Sequence, residues 1–146
     1  MEASVKKNVI NYLGSHSYMR LATVCFDGKP LAHTVGYASE GTTVYFATDK
    51  RTRKFANISK NPDVAYTIDE DYRDINKIQG IQMEGKAAIL SAKADIDRAG
   101  AILEKKFAGM PDLPEGLELV LIKVEPTDGY FLDYTQGFAH MDRITF

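Results

Sequence analysis

The alternation of apolar and polar positions divides the chain into a first helix, a run of strands and one later helix. Val5, Val9, Ile10 and Leu13 recur at helical spacing and Gly14 follows as a stop, which predicts an amphipathic helix over residues 3 to 14, capping one end of the core. Tyr18 to Phe26 reads as a strand, Asp27-Gly28 as a tight turn, and Pro30 to Ala38 as the second arm of a hairpin. In that arm Leu31, His33, Val35 and Tyr37 share one face, and Ala32, Thr34, Gly36 and Ala38 share the other. The second face is small throughout, which suits either a close-packed neighbour or a flat group approaching the backbone.

After Glu40-Gly41, the β-branched and aromatic run Thr43, Val44, Tyr45 and Phe46 predicts a third strand. Asp63 to Ile68 is a fourth, followed by the acidic segment from Asp69 to Asp74, which reads as a solvated loop. A long fifth strand is expected from about Ile78 to Leu90, with bulges or bends at Gly80 and Gly85. Ser91 opens a helix whose stripe of Ile96, Ala99, Leu103 and Phe107 is expected in the core, with Gly109 and Pro111 as its stop. Leu117 to Val124 is a sixth strand, broken by Glu125-Pro126, and extended structure resumes from Gly129 to Asp133 before a tail ending at Phe146. Six or seven strands with one long helix late in the chain do not alternate as a parallel sheet requires. They predict a mainly β fold, a small closed antiparallel barrel with flanking helices.

One stretch breaks a local rule. Thr52 is an N-cap, Phe55 and Ile58 repeat on one helical face, and Asn61 before Pro62 ends the helix, yet Lys50, Arg51, Arg53 and Lys54 crowd its beginning. Cations at the positive end of a helix cost roughly 0.3 to 1 kcal/mol each. A bound dianion would compensate them, using helix N–H groups, the hydroxyls of Thr48 and Thr52, and the Arg and Lys heads, as a phosphate does. The plain alternative is a solvated basic loop.

Composition narrows the choice. At 146 residues the chain, 1–146, is a single domain, and 18 basic against 20 acidic side chains make the cationic stretch a local patch on a mildly acidic molecule. A general nucleic-acid binder would carry a basic excess, so nucleic acid is not an expected partner. Cys25 stands alone, which leaves no internal disulfide and fits a reducing compartment. The N-terminus lacks the apolar core of a signal peptide and no run is long enough to span a membrane, so the cytoplasm is expected. His16, His33 and His140 have no ligand spacing, and no metal site is expected. The contexts of Gly28 and Gly41 match neither a Walker loop nor a dinucleotide fingerprint.

Phe46-Ala47-Thr48, Thr52-Arg53-Lys54 and Asn61-Pro62 resemble a segment of the pyridoxamine 5′-phosphate oxidase-like flavoproteins, the FMN-binding split barrels. Arg20-Leu21-Ala22-Thr23-Val24 is similar to the family's first-strand Arg motif, and Met83-Glu84-Gly85-Lys86-Ala87 to its later Glu-Gly strand. The resemblance runs in order over roughly residues 10 to 143. It implies a six-stranded antiparallel split β-barrel of Greek-key type, flanked by α-helices, that forms a homodimer with FMN across the interface. It further implies phosphate binding by Arg53 and Lys54 with Thr48 and Thr52 assisting, and flavin contacts along Arg20, Leu21, Ala22 and Thr23. Gln82 is expected to reach the cofactor from the partner subunit. The chain departs from the oxidases proper, having Gly80 where they resemble one another in a flavin-contacting Gln, and Ala139 and Met141 at their substrate-side Arg and His. The implied function is therefore an FMN-dependent oxidoreductase acting on another small molecule, with His140 and Arg143 as candidates for substrate contact and no catalytic residue assigned. A non-catalytic FMN binder or electron carrier, and a haem- or deazaflavin-handling relative, are the alternatives.

Overall fold

The computed structural model describes residues 2–109 and 112–146. Three helices, α1 (Ala3–Ser15), α2 (Arg53–Lys60) and α3 (Lys93–Lys106), flank eight strand segments. These are β1 (Tyr18–Val24), β2 (Pro30–Gly36), β3 (Ala38–Glu40), β4 (Thr43–Asp49), β5 (Asp63–Asp69), β6 (Gln79–Ile89), β7 (Leu119–Asp133) and β8 (Met141–Thr145). Every pairing is antiparallel, in the order β2-β1-β5-β6-β7-β4-β3, with β8 added on β7. Only Tyr37 separates β2 from β3, so one bent strand joins both ends of that order and the sheet curls into the expected split barrel. Tyr37 is fully buried at the bend and its hydroxyl donates to the Leu13 carbonyl at 2.7 Å, tying the barrel to α1. Met19, Leu21, Phe46, Tyr66, Ile68, Ile81 and Ile122 fill the interior.

Several details differ from the sequence expectation, each for a local reason. Gly14 does not stop α1, which continues to Ser15; the His16 ring stacks on Tyr12 at 3.9 Å, its Nδ1 2.9 Å from the Tyr12 carbonyl, and closes the helix end. The first strand ends at Val24, because the Cys25 N–H donates to the Lys29 carbonyl and Gly28, at φ 83, turns the chain. Ser91 does not cap α3, whose N-cap position is Ala92, without a side-chain hydrogen bond. Of the expected core stripe only Ala99 is buried; the helix lies outside the barrel against β3, β4 and β7, leaving Ile96 exposed and Leu103 and Phe107 half-buried. Pro111, expected in the stop of α3, lies outside the described residues.

β7 carries the largest correction. Pro126 does not break it, because the chain bulges there: Glu84 pairs with Asp128 and Gly85 with Pro126, which leaves Thr127 as the extra residue. A proline has no N–H to lose at a bulge. The bend lets the first half of β7 pair with β4 and its second half with β8, a strand not expected in the tail. Gly85 bends the strand as expected, whereas Gly80 sits in regular pairing and admits a neighbouring backbone, its absent Cβ lying 3.1 Å from the Ile68 carbonyl oxygen. The acidic loop is also tied down, by Tyr72 and Glu70, which reach Tyr12 and His16 at 3.2 and 3.1 Å. Among the described residues no helix is long and apolar enough to cross a membrane.

Two glycines test this packing with opposite signs. A Cβ at Gly129 would lie 2.1 Å from the Gln82 carbonyl oxygen, so Gly129→Ala is expected to destabilise the fold by at least about 2 kcal/mol. Gly14 is helical with open space around it, and Gly14→Ala is expected to stabilise by roughly 0.5 to 1 kcal/mol. Urea melts of both variants check the pair.

Candidate functional site

The cationic stretch is organised by one hydroxyl. Thr52 Oγ1 accepts from the Phe55 N–H at 3.3 Å, as an N-cap does, and donates its proton to the Asp49 carbonyl at 2.9 Å. Thr48 Oγ1 lies 2.8 Å away, and with that proton committed Thr48 is the donor. Both threonines thus hold the turn from β4 into α2, and Thr48 is buried. Arg51 leaves the cluster. It forms a two-pronged pair with Asp49, at 2.8 and 2.7 Å, and the pair holds the Asp49 carboxyl well below its ordinary range.

Arg53 and Lys54 remain as the first two residues of α2. Their N–H groups have no acceptor within the helix. The first turn contains no acidic residue, and among the described residues neither side chain takes part in an ion pair. The misfit read from the sequence therefore persists, narrowed from four cations to this pair and the exposed Lys50.

The fold brings further polar groups to the same corner. Asn57, one turn along α2, donates to Thr23 Oγ1 at 2.9 Å, and Thr23 Oγ1 is 2.9 Å from His33 Nε2. Burial, and then the charges of Lys54 and Arg53, hold the His33 imidazole below its usual value. His33 and Asn57 were not singled out from the sequence as site residues. The alternation in β2 grouped His33 with Leu31, Val35 and Tyr37 on one face, but nothing local indicated that this face is the inward one or that α2 lies over that end of the barrel.

The other expected contacts lie on the outer face of the sheet. Cross-strand register aligns Thr34, Arg20, Thr67, Gln82, Tyr130 and Arg143 in one row over six strands. The next row begins with Ala32, Ala22 and Ala65, three adjacent alanines that leave a flat floor, and continues to Glu84 and Asp128. Arg20, Ala22, Ala32, Ala65 and Gln82 line an open depression of about 500 Å³ there. A second depression, about 440 Å³, continues from Ala22 and Ala65 to Thr23. Leu21 belongs to neither, since its side chain is fully buried in the barrel. Arg143 stands at the rim, donating to the Tyr130 hydroxyl at 3.2 Å and to Asp128 at 2.9 Å. His140 is not among the lining residues; its Nε2 is 3.2 Å from Asp142.

The chain has relatives among known proteins. The family model described as pyridoxamine 5′-phosphate oxidase matches residues 5–133. General stress protein 26 of Bacillus subtilis is 30% identical over 128 residues, which cover 87% of each chain. A 5a,11a-dehydrotetracycline/5a,11a-dehydrooxytetracycline reductase of Streptomyces rimosus is 36% identical over 88 residues, covering 56% of this chain and 61% of that one. Among solved structures, a conserved hypothetical protein of Mycobacterium tuberculosis superposes with a TM-score of 0.78 at 20% identity, covering 97% of this chain and 91% of the other. A haem-binding protein of Mycobacterium smegmatis does so at 0.77 and 16%, covering 99% and 59%. At these identities the structural likeness speaks for the fold alone.

Proposed function

The chain belongs to the pyridoxamine 5′-phosphate oxidase family, and from that premise we propose that it is an FMN-dependent oxidoreductase acting on a small molecule. The observation that carries the reading is the Arg53 and Lys54 pair, two cations at the positive end of a helix with no carboxylate partner among the described residues. A phosphate monoester supplies the missing compensation: Arg53 offers a fork of donors, Lys54 a mobile point charge, and the helix its free N–H groups. Thr48 and Thr52 contribute by fixing where that helix starts, Thr23 by its place beside it, and Leu21 through its main chain only.

The alanine floor suits a flat ring, with Arg20 and Gln82 as polar contacts at its border. When bound, the flavin supplies the redox chemistry, and the protein supplies position, charge and exclusion of water. Arg143, held at the rim by Tyr130 and Asp128, is the better placed of the two candidates for substrate contact. The reductase from Streptomyces rimosus supports the reaction class and leaves the substrate open. Pyridoxamine 5′-phosphate is a poor choice of substrate, since Ala139 and Met141 carry no charge for its phosphate.

The test is a titration of FMN and riboflavin against the wild-type protein and the double variant Arg53→Gln, Lys54→Gln. FMN affinity should fall by at least about 2 kcal/mol, taking roughly 1.5 to 3 kcal/mol for each lost hydrogen bond between charged groups. Riboflavin, lacking the phosphate, should bind both proteins weakly and alike. Equal weakening of both ligands would remove the phosphate assignment. We propose further that the open depression acquires its second wall in a homodimer. Sedimentation at micromolar concentration should give a dimer, and a monomer that retains FMN would contradict this part.

A further inference from the structure

We propose that His33 takes up a proton when a phosphate monoester binds beside Arg53 and Lys54, so that cofactor binding at this corner is coupled to pH. The inference rests on the FMN reading above and adds to it a residue and a form of regulation.

The Thr23 hydroxyl stands between Asn57 and His33. Asn57 donates to Thr23 Oγ1 at 2.9 Å, and the hydroxyl proton is available for His33 Nε2, also at 2.9 Å, in the tautomer of the neutral ring that carries its proton on Nδ1. On protonation the roles reverse: Nε2–H donates to Thr23 Oγ1, which still has a lone pair to offer. A hydroxyl that is both donor and acceptor thus partners Nε2 in either state of the ring.

The charges nearby set the direction. Burial first, and then the charges of Lys54 and Arg53 from α2, disfavour the imidazolium of His33 in the free protein. Thr23 and Asn57 are uncharged, and the Cys25 thiol lies behind Asn57, 3.6 Å from its Nδ2. A phosphate dianion among these groups reverses the local field and favours the imidazolium. Binding therefore takes up a proton at any pH between the ring's free and bound pKa values. The second ionisation of the phosphate, near 6, pulls the other way as pH falls, but it is common to every variant.

The experiment is calorimetric titration of FMN into wild type, His33→Asn and His33→Arg, in buffers of different ionisation enthalpy between pH 6 and 8. The wild type should take up several tenths of a proton more than His33→Asn. Its affinity advantage should widen as pH falls, by up to about tenfold for each unit by which bound phosphate raises the ring's pKa. His33→Arg, permanently charged, should bind FMN without the extra uptake, which a purely structural role of the ring would not produce. Should His33→Asn fold poorly, the imidazole proton signals of the wild type, titrated with and without FMN, read the same shift. FMN binding with equal proton exchange in wild type and His33→Asn, or an imidazole titration unmoved by FMN, would overturn the inference and leave the FMN reading intact. Failure of the wild type to bind FMN would overturn both.

Discussion

The turn from β4 into α2 depends on the Thr52 hydroxyl, which accepts from the Phe55 N–H and donates to the Asp49 carbonyl while Thr48 donates to it. An N-cap of this kind contributes about 1 kcal/mol, enough to decide where a helix of eight residues begins. Moving that start by one residue would carry Arg53 and Lys54 away from His33, because successive helix positions differ by about 100° around the axis. Asp49 has a second part in the arrangement. By pairing with Arg51 it withdraws one cation from the cluster, and it offers nothing to Arg53 or Lys54. Local stability and an uncompensated charge pair are thus built from the same few residues.

The outer face has a different origin, in strand register. One residue of slip in β1 or β5 would replace the three adjacent alanines with inward-facing bulk such as Leu21 or Tyr66. The bulge at Pro126 has the complementary effect on β7, bending it so that β8 extends the row of Arg20, Gln82 and Tyr130 to Arg143. Ala22 and Thr23, neighbours on β1 with opposite orientations, connect the flat floor to the cationic corner. On the function proposed above, the ring of FMN takes the first of those environments and its phosphate the second.

What was legible in the sequence was what local rules encode. Thr52 followed by Phe55 and Ile58 predicts the helix, and the cations at its start predict the misfit; the alternation of β2 predicts its small face, while the structure supplies that this face is the outer one. Six of the strands are legible as well, once β2 and β3 are seen as one strand bent at Tyr37; β8 makes a seventh that the six-stranded expectation lacks. Features created by distant contacts were not. His33 and Asn57 are 24 residues apart and meet through Thr23 only because α2 lies across β1. β8 buries a single residue, Ile144, and follows a turn in which Ala139 adopts φ 63, so neither periodicity nor turn chemistry announced it. The stripe on α3 promised a core helix, but of its four residues only Ala99 is fully buried.

Whether this barrel holds a flavin by its phosphate is read from the absorption spectrum of the purified protein and of the small molecule released from it by heat. The expected result is a yellow protein with the two visible bands of an oxidised flavin, releasing FMN at about one molecule per chain. A protein that carries haem, or that stays colourless and does not take up FMN when it is supplied in excess, would contradict it.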